Sequence, residues 1–120
     1  MHTGEAMPRV GRDVSFKAAL VEMTRKKLGM TLVMTPDNTL AGIFTDGDVR
    51  RAFDREADVH HTCIDELMTG TPRVIPPGML AAEALNLMNT HKITSLVVTA
   101  EGKIPLGVVH MHDILRAGIV

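Results

Sequence analysis

Gly42-Ile43-Phe44-Thr45-Asp46-Gly47-Asp48 carries an apolar β run into a hydroxyl and an acidic helical turn. Gly107-Val108-Val109-His110-Met111-His112-Asp113 repeats that plan 65 positions later. The same offset lays residues 19–52 on 84–117 without a gap. Ala19 falls on Ala84, Leu20 on Leu85, Met23 on Met88, Lys27 on Lys92, Val33 on Val98, Arg51 on Arg116 and Ala52 on Ala117. Other positions keep their class, as in Leu28/Ile93, Leu32/Val97 and Val49/Ile114. Pro8-Arg9-Val10 joins the match on Pro72-Arg73-Val74 with one residue inserted. Chance does not hold one register over so long a stretch, and the chain is read as two copies of one supersecondary unit.

Each copy carries the same element signals. Phe16, Ala19, Leu20 and Met23 recur at helical spacing, as do Leu80, Ala84, Leu87 and Met88. Ser15 is the N-cap candidate of the first helix, and Pro77-Gly78 opens the second. A β run follows, at 30–34 or 95–99, then a turn. The first copy makes that turn with Thr35-Pro36-Asp37-Asn38-Thr39, the second with Glu101-Gly102-Lys103. A second strand, at 40–44 or 106–109, runs into a short helix at 46–53 or 112–117. Short extended pieces, Arg9-Val10 and Arg73-Val74, stand in front. The expected boundaries are 1–54 and 64–120 for the two copies, with polar residues 55–63 as linker. About fifty residues bury too little apolar surface to fold comfortably alone. Two units packed sheet to sheet, with pseudo-twofold symmetry inside the chain, would share a core.

Composition narrows the function. Aromatics are 2% of the chain against 45% apolar residues, so Val, Ile, Leu, Ala and Met build the core. Nine methionines suit core filling, and also interfaces that repack around a ligand. A formal charge of −1 offers no basic footprint for nucleic acid. No apolar run approaches a membrane span and no signal peptide is present. Cys63 is alone, so no disulfide framework forms within the chain. These features fit the reducing cytoplasm and exclude membrane and nucleic-acid partners.

The motif resembles that of CBS repeats, in which a glycine, two apolar residues, Thr or Ser, two variable residues and Asp join the last strand to the last helix. The resemblance implies an α/β (α+β) fold of two CBS repeats, each β-α-β-β-α, and a ligand site for a ribose phosphate. A helix N-terminus offers N–H groups and positive dipole to an anion. Thr45 can meet phosphate or sugar, Asp48 both hydroxyls of a ribose, with Asp46 and Gly47 between them. The plain alternative makes Thr45 the N-cap and Asp48 the far side of a capping box.

In the second copy His110 stands where the motif asks for a hydroxyl, and Asp113 is kept. Ordinary adenosine-phosphate recognition is weaker there. His110 and His112 can instead meet a carboxylate or phosphate, more strongly when protonated. The resemblance adds Arg9, Val10, Thr71, Pro72, Arg73 and Val74 on the extended pieces to the ligand-binding set. It also adds Lys27, His91, Lys92 and Ser95 where the long helices end and the next strand begins. Cations at a helix C-terminus also simply complement its dipole. Arg50-Arg51 reads as a solvated helix face, with Arg51 and Arg116 as further anion candidates across a dimer. His110-x-His112 and His60-His61-x-Cys63 use zinc-binding residue types, but neither supplies four ligands at a recognised spacing, and no metal is expected. No catalytic residue is expected: Cys63 lacks any oxyanion-stabilising loop.

A closer resemblance runs the length of the chain. Met1-His2-Thr3-Gly4, the 42–48 motif, Glu83-Ala84-Leu85-Asn86-Leu87-Met88 and His110-Met111-His112-Asp113-Ile114-Leu115-Arg116-Ala117-Gly118 look like the C-terminal CBS pair of bacterial D-arabinose 5-phosphate isomerases. That family interconverts ribulose 5-phosphate and arabinose 5-phosphate on the way to Kdo, a sugar acid of lipopolysaccharide. The sugar-isomerase domain itself is absent here. The resemblance implies a regulatory module, not an enzyme, attached to its own isomerase domain in a parent expected to be a tetramer through CBS–CBS pairing. It implies no cofactor. The expected effector is CMP-Kdo, bound between the repeats; AMP or ATP, or a purely structural assembly role, are the alternatives.

Overall fold

In the computed structural model, which describes residues 2–116, each copy of the repeat folds around one three-stranded sheet. The chain divides into two compact units, Pro8–Pro72 and a second made of residues 2–7 with residues from 73 onward. The leading segment, grouped with the first copy in the sequence reading, therefore belongs to the second unit.

The first unit starts with strand β1 (Arg9–Gly11), followed by helix α1 (Phe16–Lys26). The Ser15 side chain accepts from the Ala18 amide, so the expected N-cap is formed. Phe16, Ala19 and Met23 form the buried stripe. Lys27 ends the helix in the left-handed conformation at φ 58°. Strand β2 (Met30–Met34) is buried along its whole length, pairing parallel with β1 and antiparallel with β3 (Leu40–Thr45). In β3 the side chains alternate, with Leu40, Gly42 and Phe44 inward. Helix α2 (Asp46–Asp54) follows β3. Its core gathers Phe16, Ala19, Met23, Val33, Phe44, Ala52, Ile64 and Leu67, with the Phe16 and Phe44 rings edge to face at 5.7 Å.

The polar stretch 55–63, expected as a linker, is bonded into this unit. The Phe16 amide donates to Thr62, Lys17 to Val59, and the Ile64 amide to Val14. Ala57 and Val59 pack against the core, which a polar average over nine residues conceals.

The second unit repeats the order with β4 (Val74–Ile75), α3 (Ala81–His91), β5 (Ser95–Ala100), β6 (Ile104–His110) and α4 (Met111–Arg116). β4 is parallel and β6 antiparallel to β5. A register shift interrupts β2 at Val33/Met34 and β5 at Val98/Thr99, the same repeat position in both copies. Two details differ from the sequence reading. α3 begins at Ala81 rather than at Pro77-Gly78, and Leu80 is a mostly exposed N-cap without a capping side chain. The buried stripe is instead Ala84, Leu85 and Met88. Ala117, expected in the last helix, lies outside the described residues. Among the described residues no helix is long and apolar enough to cross a membrane.

Candidate functional site

The centre of the first unit is Asp48, a carboxylate only 5% exposed at the third position of α2. Its Oδ2 accepts from the Thr45 amide at 3.0 Å and the Thr45 hydroxyl at 3.1 Å. The Asp48 amide donates back to Thr45 Oγ1 at 3.3 Å, completing a capping box. The Thr69 hydroxyl donates across both carboxylate oxygens at 3.1 and 3.2 Å. Arg51 Nη2 donates to Oδ1 at 2.6 Å. The capping role weighed from the sequence is thus formed, and Arg51, read as a solvated face, spends one end of its exposed side chain on Asp48. A buried charge needs this many donors.

This wiring sets what the turn can do. The proton of the Thr45 hydroxyl is committed to Asp48, so it is not free for a phosphate. Asp46 and Asp48 already place two carboxylates in the first turn of α2, which opposes a further anion there. The arrangement suits neutral hydroxyls that replace Thr69 or Arg51 on Asp48. An anionic part of the ligand has to be met by cations such as Arg51.

Thr69 enters through the backbone. Its carbonyl accepts from the Ile43 amide at 3.0 Å, and its amide donates to the Ile43 carbonyl at 2.8 Å. A Cβ on Gly42 would lie 2.5 Å from the Thr69 carbonyl oxygen. The motif glycine is therefore what lets residues 68–69 cross the edge of β3.

The second unit wires Asp113 differently. Its Oδ2 accepts from the His110 amide at 3.0 Å, while the His112 amide donates to His110 Nδ1 at 3.1 Å. The imidazole at the departed motif position thus supplies the cap acceptor that Thr45 supplies in the first copy. The His110 and His112 rings stack at 4.8 Å. His2 Nε2 reaches Asp113 at 3.1 Å, and the His2 and Val108 backbones exchange two hydrogen bonds. Burial disfavours the Asp113 carboxylate, but the His110 amide and His2 outweigh it and hold its pKa below the usual value. Burial and the neighbouring His112 lower that of His110.

The other expected residues scatter. Lys27 precedes Gly29, whose carbonyl accepts from the Asp46 amide, so the helix-end segment adjoins the α2 turn. In the second unit Ser95 stands opposite His110 in the β5–β6 register, its hydroxyl buried and without a hydrogen-bond partner among the described residues. Lys92 repeats the left-handed cap of Lys27 at φ 56°, next to His91 at the end of α3. Arg9 and Val10 lie on β1, separated from β3 by β2. Val74 opens β4, Arg73 precedes it, and Thr71 and Pro72 end the first unit. Thr69 and His2 were missed as partners of the two aspartates. The available signal was Met68-Thr69-Gly70 ahead of Pro72, parallel to Met1-His2-Thr3-Gly4 ahead of Pro8. Among the described residues no three His, Cys, Asp or Glu side chains gather as a metal site.

The CBS-domain family model matches residues 5–55 and 64–119. The chain belongs to the CBS-domain family. This CBS pair is 51% identical over 120 residues to arabinose 5-phosphate isomerase KdsD of Escherichia coli K12, covering the whole chain and 36% of that protein. It therefore spans about a third of the length of that relative. Among solved structures, a protein with CBS domains from Burkholderia ambifaria matches with a TM-score of 0.84 at 27% identity, over 94% of this chain and 82% of that one. CBSX2, solved in complex with AMP, matches with a TM-score of 0.83 at 21% identity, over 99% and 92% of the two chains. This CBS pair is homologous to the CBS region of the isomerase, and its mixed α and β fold is that of the CBS structures.

Proposed function

We propose that this CBS pair is the ligand-sensing part of an arabinose 5-phosphate isomerase of the Kdo and lipopolysaccharide route, with CMP-Kdo as its effector. The observation that carries the reading is Asp48. It is a buried carboxylate at a strand-to-helix turn, two of whose donors are side chains that sugar hydroxyls can replace. The ribose of a cytidine nucleotide supplies such hydroxyls, and the acidic sugar supplies an anion for Arg51 and Lys27. Exchange of the Thr69 hydroxyl for a ligand hydroxyl would loosen residues 68–72 from Asp48. Regulation follows where the ligand has unequal affinity for the two resulting states. CBS–CBS pairing into a dimer belongs to the same proposal, with Phe53 and Leu115 as exposed apolar residues on the short helices.

A thermal-shift series with CMP-Kdo, CMP, free Kdo and AMP tests the reading. At a hundred times its Kd, a site-specific ligand adds about 2.7 kcal/mol. CMP-Kdo should raise the Tm most, with CMP weaker. A shift with AMP and none with CMP-Kdo replaces the effector with an adenine nucleotide, the ligand class of the CBSX2 complex. Silence from all four leaves assembly of the isomerase as the role.

A further inference from the structure

The two units fasten the same turn with different chemistry. Around Asp48 stand two hydroxyls, Thr45 as helix cap and Thr69 from the segment crossing the edge of β3. Around Asp113 both places are taken by imidazoles, His110 as helix cap and His2 from the segment crossing the edge of β6. The match is positional as well as chemical. Thr69 exchanges two backbone hydrogen bonds with Ile43, and His2 exchanges two with Val108, the residue 65 positions after Ile43. Threonine hydroxyls hold one protonation state across neutral pH, whereas imidazoles change charge there.

We propose that the second unit is a proton-responsive version of the fastening that threonines make permanent in the first. At neutral and higher pH the uncharged His110 ring caps α4. At lower pH that cap is lost. This device is independent of which effector the CBS pair binds.

The geometry requires the loss. His110 Nδ1 accepts the His112 amide only while it keeps its lone pair, with the proton on Nε2. Protonation turns Nδ1 into a donor facing another donor. It also sets a charge 4.8 Å from the His112 ring. The titratable and charged groups acting on His110 are His112, Asp113 and Arg116 of α4 and His2 of the leading segment. Of these only Asp113 favours the cation. Because the folded state depresses the His110 pKa, the cap's contribution is present above the unfolded value of about 6.5 and is lost as pH falls through the folded value.

The test is amide hydrogen exchange by nuclear magnetic resonance on the whole chain between pH 8 and 5.5, with protection factors corrected for intrinsic rates. The His112 amide should lose roughly fivefold in protection on acidification, the size of an ordinary hydrogen bond. The Asp48 amide, capped by Thr45, should stay level and serves as the internal reference. His110→Asn, a cap that does not titrate, should flatten the His112 response. Should a variant fail to fold, the wild-type imidazole nitrogen spectrum decides instead, with neutral His110 carrying its proton on Nε2. Equal responses at His112 and Asp48, a response surviving in His110→Asn, or a proton on Nδ1 overturns the proposal.

Discussion

Gly42→Ala should cost the first unit about 2–4 kcal/mol, although it adds one methyl group to a strand. The new Cβ would meet the Thr69 carbonyl oxygen at 2.5 Å and Met68 Sδ at 2.8 Å. The sulfur ends a flexible side chain and can swing away; a backbone carbonyl cannot. Residues 68–69 must then lift from β3, and three bonds go with them. Two are the paired backbone bonds between Ile43 and Thr69, at about 1 kcal/mol each. The third is the Thr69 hydroxyl on the buried Asp48, a bond to a charged group worth about 1.5–3 kcal/mol. Partial relaxation keeps the total below their sum. Gly47→Ala is the control, because its Cβ would meet the Arg51 guanidinium at 3.4 Å and Thr45 Oγ1 at 3.7 Å, ordinary contacts. Inside α2 that alanine should be neutral or stabilise by up to about 1 kcal/mol. Urea unfolding of the two variants beside the wild type gives the comparison, and the exchange rate of the Thr69 amide reports the lifting directly. If Gly42→Ala unfolds at the same urea concentration as Gly47→Ala, the crossing of residues 68–69 over β3 is wrong.

Lys27→Gly and Lys92→Gly remove left-handed strain at φ 58° and 56° and should each stabilise by about 0.5–1 kcal/mol, read as a higher Tm. If Lys27 also meets the anionic part of the effector, calorimetry on Lys27→Gly will show weaker CMP-Kdo binding in a more stable protein; unchanged binding removes Lys27 from the site. Phe16→Ala strips a fully buried ring from the first core and should cost about 3–5 kcal/mol in denaturant unfolding, against less than 1 for the exposed Leu80→Ala. Asp113→Asn probes acid sensitivity. Because the folded state lowers the Asp113 pKa, the stability it contributes is present above the ordinary carboxylate value and is lost as pH falls through the folded one. The variant should therefore lose less stability than the wild type between pH 5 and 3, measured as Tm against pH; parallel curves contradict the assignment.

Much of this was readable in the sequence because it is local. Ser15 caps α1 as its position implies, β2 spans the expected residues, and the repeat offset relates the corresponding elements of the two units. Element ends moved where signals competed, as at Leu80, where Pro77-Gly78 marks a turn several residues before the helix starts. The aspartates of both motifs were legible, and so was the capping box as one role of Asp48. Their third partners were not. Thr69 is 21 residues from Asp48 and His2 is 111 from Asp113, and no periodicity reports a contact across such distances. The edge strands β1 and β4, three and two residues long, are too short to show alternation.

The way the chain is shared between the units also dictates where it can be divided. A fragment ending at residue 54 would leave out Ile64, which is fully buried, and Leu67, and would strand Asp48 without the Thr69 hydroxyl. A fragment running from 8 to 72 keeps every one of these groups. The complementary piece starting at 73 would lack His2, leaving the outer edge of β6 bare and Asp113 short of a donor. Supplied as a separate peptide, residues 1–7 would then be a ligand for that piece, much as a donated strand completes an unfinished sheet.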